Sequence, residues 1–147
     1  MRYLTVHDVI WINTAVTGSP QRYHFDRLEN AVYSQYSYGQ SRDVLTQAER
    51  MFRRLLQDKP FEQGDELTAL VATMVFLRLN GYTLQIGADE VQTILTQVAQ
   101  GQMHTGEFVS QRAQPAAPAD GTLRDIAAQV CQQLHLPMKT VLAGVHG

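Results

Sequence analysis

Asp58-Lys59-Pro60-Phe61-Glu62-Gln63-Gly64-Asp65-Glu66-Leu67-Thr68-Ala69 runs directly into Leu70-Val71-Ala72-Thr73-Met74-Val75-Phe76-Leu77-Arg78-Leu79 and closes on Asn80-Gly81-Tyr82. From Thr68 to Leu79 apolar residues occupy every side of a helix and only Arg78 is charged, the pattern of a helix surrounded by others. Asn80-Gly81 supplies its stop. Ahead of it the form is loop, then glycine, then helix start. Such a start offers unpaired N–H groups and the positive end of the helix dipole, a general site for anions. Asp65 and Glu66 also meet a purely local need there, because acids in a first turn favour any helix.

Upstream, Val44, Leu45, Ala48, Met51, Phe52, Leu55 and Leu56 recur at i, i+3, i+4 and i+7, which predicts a one-faced helix capped by Ser41 or Asp43. Phe25, Leu28, Ala31 and Val32 mark a helix before it. That helix runs out into Tyr33, Tyr36, Tyr38 and Gly39, read as a loop or short hairpin. Val6, Val9, Ile10 and Ile12 to Val16 suit a first helix stopped by Gly18, Ser19 and Pro20. Downstream, Val91, Ile94, Leu95 and Val98 predict a one-faced helix ended by Gly101, and Thr105 to Gln111 a short one. Between residues 112 and 121 Pro115 and Pro118 exclude helix, which predicts an extended linker. Thr122 and Asp125 then have capping-box spacing ahead of Leu123, Ile126, Ala127, Val130 and Leu134, and Pro137 can open a last helix closed by Gly144. No segment alternates with period two for long enough to build a sheet, so the expected class is all-α. The expected organisation is a helical domain over 1–111, a linker over 112–121 and a C-terminal helical extension over 122–147. There is no internal repeat.

At 147 residues the chain can bury about two thirds of its unfolded surface without staples. A formal net charge of −2, with Lys and Arg scattered rather than striped, disfavours general nucleic-acid binding. The longest apolar run falls short of the roughly 20 residues a membrane span needs. One cysteine, Cys131, cannot pair internally and sits within an apolar periodicity, so it reads as packing in a reducing, cytoplasmic setting. His7, His24, His104, His135 and His146 lie too far apart to suggest metal ligands.

Pro60-Phe61, Gly64, Thr68-Ala69-Leu70-Val71-Ala72-Thr73 and Phe76-Leu77-Arg78-Leu79-Asn80-Gly81-Tyr82 occur in the order of a known signature. The chain resembles the Fic/Doc (Fido) family, in its Doc-like (death-on-curing) toxin subgroup. That family's motif is His-x-Phe-x-(Asp/Glu)-Gly-Asn-(Lys/Gly)-Arg, followed by Thr-Ala and a long apolar helix. Tyr3 to Val9, Arg27 to Val32 and Val98 to Gln102 extend the likeness over roughly residues 3 to 111. The resemblance implies a helical bundle around a buried central helix, with phosphoryl or nucleotidyl transfer from ATP and Mg²⁺ at the helix start.

The chemical positions depart from the motif. Lys59 stands where the family has its histidine base, and an ordinary lysine is protonated near neutrality and cannot take a proton. Gln63 stands where an acid would hold Mg²⁺, and offers a neutral oxygen to a hard cation. Asp65, Glu66 and Leu67 replace the Asn-Lys-Arg that would cradle phosphates, so the loop carries Lys59 against Glu62, Asp65 and Glu66. Carboxylates beside a triphosphate repel it, and phosphoryl transfer rests on electrostatic positioning. Arg53 and Arg54 are the nearby cations that could offset them. The expectation is a catalytically silent member, with no cofactor and no metal, acting on a protein or antitoxin-like peptide. Tyr33, Tyr36 and Tyr38 are the candidate contacts, since they fall where the family places a target-holding flap, although covering the core edge is an equal use for them. The C-terminal extension could fold back in cis or exchange to form a homodimer. The alternatives are an active AMPylator or Doc-type kinase working through Lys59, and a purely structural or regulatory module.

Overall fold

The computed structural model describes residues 1–36 and 43–138. Seven α-helices are described: α1 (Val6–Thr17), α2 (Phe25–Tyr33), α3 (Val44–Asp58), α4 (Asp65–Leu79), α5 (Val91–Ala99), α6 (Thr105–Arg112) and α7 (Leu123–Gln133). A short two-stranded ribbon of β1 (Tyr82–Leu84) and β2 (Ala113–Pro115), and a 3₁₀ turn over Ala88–Glu90, complete the described elements. The protein is thus mostly helical. Tyr38, Gly39, Ser41, His146 and nearly all of the helix expected after Pro137 lie outside the described residues; Pro137 and Met138 themselves are not helical.

α4 is the axis. Twelve of its fifteen residues are buried, so it has no face left for water, and α1, α3 and α7 pack against it. Its polar members are satisfied within the bundle: Thr73 Oγ1 donates to Ala69 O at 2.7 Å, and Thr68 Oγ1 accepts from Asn13 Nδ2 at 3.0 Å. α3 turns Ala48, Met51, Phe52 and Leu55 inward against α2, α4 and α6. Asp43 caps it by accepting the Leu45 N–H, and α7 has the capping box expected of Thr122 and Asp125. Phe25, grouped with the inward residues of α2 by spacing, is instead about half exposed, because it occupies the first helical position, beyond the reach of the core.

The stretch expected to be a linker is extended, and its beginning is paired. Tyr82, Thr83 and Leu84 lie opposite Pro115, Gln114 and Ala113 in an antiparallel register. Ala116 and Ala119 then donate N–H bonds to Gly81 O and Arg78 O. These bonds lay α7 along α4, where Ile126, Ala127, Val130, Cys131 and Leu134 enter the same core. Arg78 reaches Gln129 and Gln133, and Gln133 Nε2 donates to Leu84 O and Ile86 O. Each fully buried aliphatic side chain is worth about 1.5–3 kcal/mol over its exposed state, so α7 is a structural part of the bundle. Burial raises the Cys131 thiol to about 11, which keeps it protonated and unreactive.

Candidate functional site

The backbone of the turn between α3 and α4, with the buried side chains of Asn13 and Asp65, forms a connected set of hydrogen bonds. α3 stops at Lys59, whose left-handed backbone (φ 44°, ψ 63°) lets its N–H reach Leu55 O and reverses the chain. Pro60 and Phe61 are buried. Here the chain forms a one-residue antiparallel bridge with the α1–α2 connection, Tyr23 opposite Phe61. His24 N–H donates to Pro60 O at 2.8 Å and Glu62 N–H to Arg22 O at 2.9 Å. The Tyr23 ring meets Phe61 edge-on at 6.1 Å.

Gly64 closes the turn at φ +82°. A methyl group placed there would lie 2.4 Å from Thr17 Cγ2 and 3.3 Å from Asn13 Nδ2, so glycine is required by backbone and by space alike. Asn13, 1 % exposed, donates from Nδ2 both to Gln63 O at 2.9 Å and to Thr68 Oγ1 at 3.0 Å. It thereby ties α1 to the loop and to the first turn of α4.

Asp65 is buried and turns back into the loop, where Oδ1 accepts the Phe61 N–H at 2.9 Å. Its pKa is raised, chiefly by desolvation; the Phe61 hydrogen bond opposes the rise, Glu66 adds to it and Lys59 lowers it. The positive end of α4 is therefore met by the protein's own acids, Asp65 inside the loop and half-buried Glu66 beside it. Glu62, Gln63 and Lys59 are exposed, and Leu67 is half-buried. Lys59 borders a hollow of about 390 Å³ shared with Arg53, Leu56, Val98 and Met103. Among the described residues no three His, Cys, Asp or Glu side chains gather as metal ligands. No described helix is long and apolar enough to cross a membrane.

The candidate tyrosines do not gather at this loop. Tyr36 packs on Tyr3 at 4.5 Å between centroids, and Tyr3 on Phe76 at 6.4 Å. Phe76 lies eleven residues beyond Asp65 in sequence, roughly 16 Å along the helix. Tyr33, 44 % exposed, borders a separate cleft between α2 and α3 together with Arg50, Arg53 and Arg54. Tyr38 falls outside the described residues.

Sequence reasoning missed Asn13 and Gln35. Gln35 is fully buried, accepts the Leu4 N–H at 2.8 Å and donates to Leu4 O and Val32 O, fastening the N-terminal segment. The signal for Asn13 was present as a single amide between Ile12 and Ala15 in an apolar run, since a buried amide must find partners. No family model matches the chain, and comparisons with curated proteins and with solved structures find no significant match.

Proposed function

We propose that this chain is a Fic/Doc-type helical protein that does not transfer phosphoryl or nucleotidyl groups and acts by binding a protein or peptide partner. The observation that supports the reading best is the Asp65 carboxylate, buried in the turn and bonded to Phe61 N–H, with Glu66 next to it. A nucleotide's phosphates would have to rest at this helix start, and two acids there oppose them. Lys59 is exposed and presents a cation where a transferase needs a base. An anionic nucleotide would also have to break the Asp65–Phe61 bond or share the turn with it, and either costs binding energy.

Calorimetric titration of ATP·Mg into the full chain tests the reading. The expected outcome is no binding that depends on Lys59. Saturable binding that disappears in Lys59→Ala, with transfer of label from ATP to any acceptor protein, would sink it and establish the active-transferase alternative.

A further inference from the structure

The cleft between α2 and α3 holds about 480 Å³ and is lined by Asn30, Tyr33, Ser34, Arg50, Arg53, Arg54 and Gln57. Among the described residues no carboxylate lines it. Arg53 and Arg54 are paired with Glu49 and Asp58 behind the hollow, so the three guanidinium groups leave a modest net positive charge there in a chain of formal charge −2.

Each guanidinium is steadied from one side only. Arg50 Nη1 donates to Tyr36 O at 3.2 Å, Arg53 Nε pairs with Glu49 at 3.1 Å, and Arg54 donates from Nε and Nη2 to Asp58 Oδ2 at 3.2 and 3.0 Å. Arg50 Nη2, both Nη atoms of Arg53 and Arg54 Nη1 have no hydrogen-bond partner among the described residues. Pre-positioned side chains with spare donors lose little entropy when an anion arrives.

We infer that this cleft binds a phosphate monoester. A carboxylate has two oxygens and one charge, and a single guanidinium fork satisfies it. The four unpartnered nitrogens on Arg50, Arg53 and Arg54 exceed what the two oxygens of a carboxylate can use and suit a group with three acceptor oxygens. The volume exceeds that of a bare phosphate, and the Tyr33 ring with the amides of Asn30 and Gln57 can contact the group that carries it. This site is distinct from the α4 start and does not depend on whether transfer chemistry survives there.

Inorganic phosphate, AMP and O-phosphoserine are titrated separately into the full chain at low ionic strength, following the arginine side-chain N–H resonances by NMR. The expected result is saturable shifts at Arg50, Arg53 and Arg54, weakened roughly tenfold by Arg53→Gln and by Arg54→Lys, and unchanged by Lys59→Ala. Arg54→Lys keeps the charge and can still meet Asp58, so its loss of affinity reports the planar fork rather than a damaged fold. Tighter binding of AMP than of free phosphate assigns the group to a small metabolite, and tighter binding of phosphoserine to a modified partner segment. Shifts that rise without saturating, or an affinity indifferent to both arginine variants, overturn the site. Because Arg53 also borders the Lys59 hollow, the separation rests on Arg54→Lys, which reads the cleft, and on Lys59→Ala, which reads the α4 start.

Discussion

The turn into α4 and the cleft between α2 and α3 are both rich in polar groups, yet they are finished to different degrees. In the turn, Asn13, Asp65, Pro60 O and Gln63 O are bonded to other parts of the same chain. In the cleft, three guanidinium groups are each held on one side and keep donors directed elsewhere. Polar groups that folding has consumed hold a structure together, whereas those with donors to spare can take a ligand. The buried part of the turn is therefore a structural joint, and the spare guanidinium donors lie on the hydrophilic side of α3.

The most damaging way to break this contrast is Gly64→Ala. The left-handed backbone costs a non-glycine residue about 1–2 kcal/mol, and a methyl group 2.4 Å from Thr17 Cγ2 adds overpacking of about 1–3 kcal/mol. Urea denaturation should show a loss of roughly 2–5 kcal/mol. Adding Thr17→Ser removes the colliding methyl and keeps an Oγ to donate to Asn13 O, so part of the loss should return. If the double variant is no more stable than the single one, the collision is not the cause.

A smaller effect, with a direction in pH, belongs to Asp65. Its folded pKa is raised above 3.8, mainly because burial penalises the charge. The folded state thus binds the proton more tightly than the unfolded chain. The stability this contributes is present below 3.8 and lost as pH rises through the folded value. Asp65→Asn retains an oxygen for the Phe61 N–H and cannot ionise. Its stability relative to wild type should therefore increase with pH over the window that opens at 3.8 and closes above the raised value. Paired denaturation curves between about pH 3 and pH 7 check this, and a difference independent of pH would contradict the burial of the carboxylate.

What was legible in the sequence divides along the same line. The periodicity of Val44 to Leu56 and the all-round apolar composition of Thr68 to Leu79 were readable, because local spacing alone decides which sides a helix must cover. The β1–β2 ribbon was not. Each strand is three residues long, too short for alternation to register, and its partner is set by α7 returning to α4. Asp65 and Glu66 looked equivalent as first-turn acids. Only the bridge between Tyr23 and Phe61 brings an orphan N–H within reach of one of them and buries it. Arg53 and Arg54 are legible in the sequence as cations near the motif, but their common cleft with Tyr33 depends on how α2 crosses α3, which no single stretch of sequence encodes.

The smallest stability effect sharpens the comparison most. Arg53→Gln removes one i,i+4 pair in which Arg53 is exposed and Glu49 keeps its bond from Thr105, and such pairs contribute about 0.3–0.5 kcal/mol, so the unfolding midpoint should scarcely move. The same change deletes two unpartnered donors from the cleft. Gly64→Ala should do the reverse, lowering stability while leaving phosphate affinity intact in the protein that remains folded. Measuring both quantities on both variants places them on perpendicular axes if one region is a joint and the other a receptor. Should Arg53→Gln cost as much stability as Gly64→Ala, the arginines belong to the framework after all, and their spare N–H groups are no guide to binding.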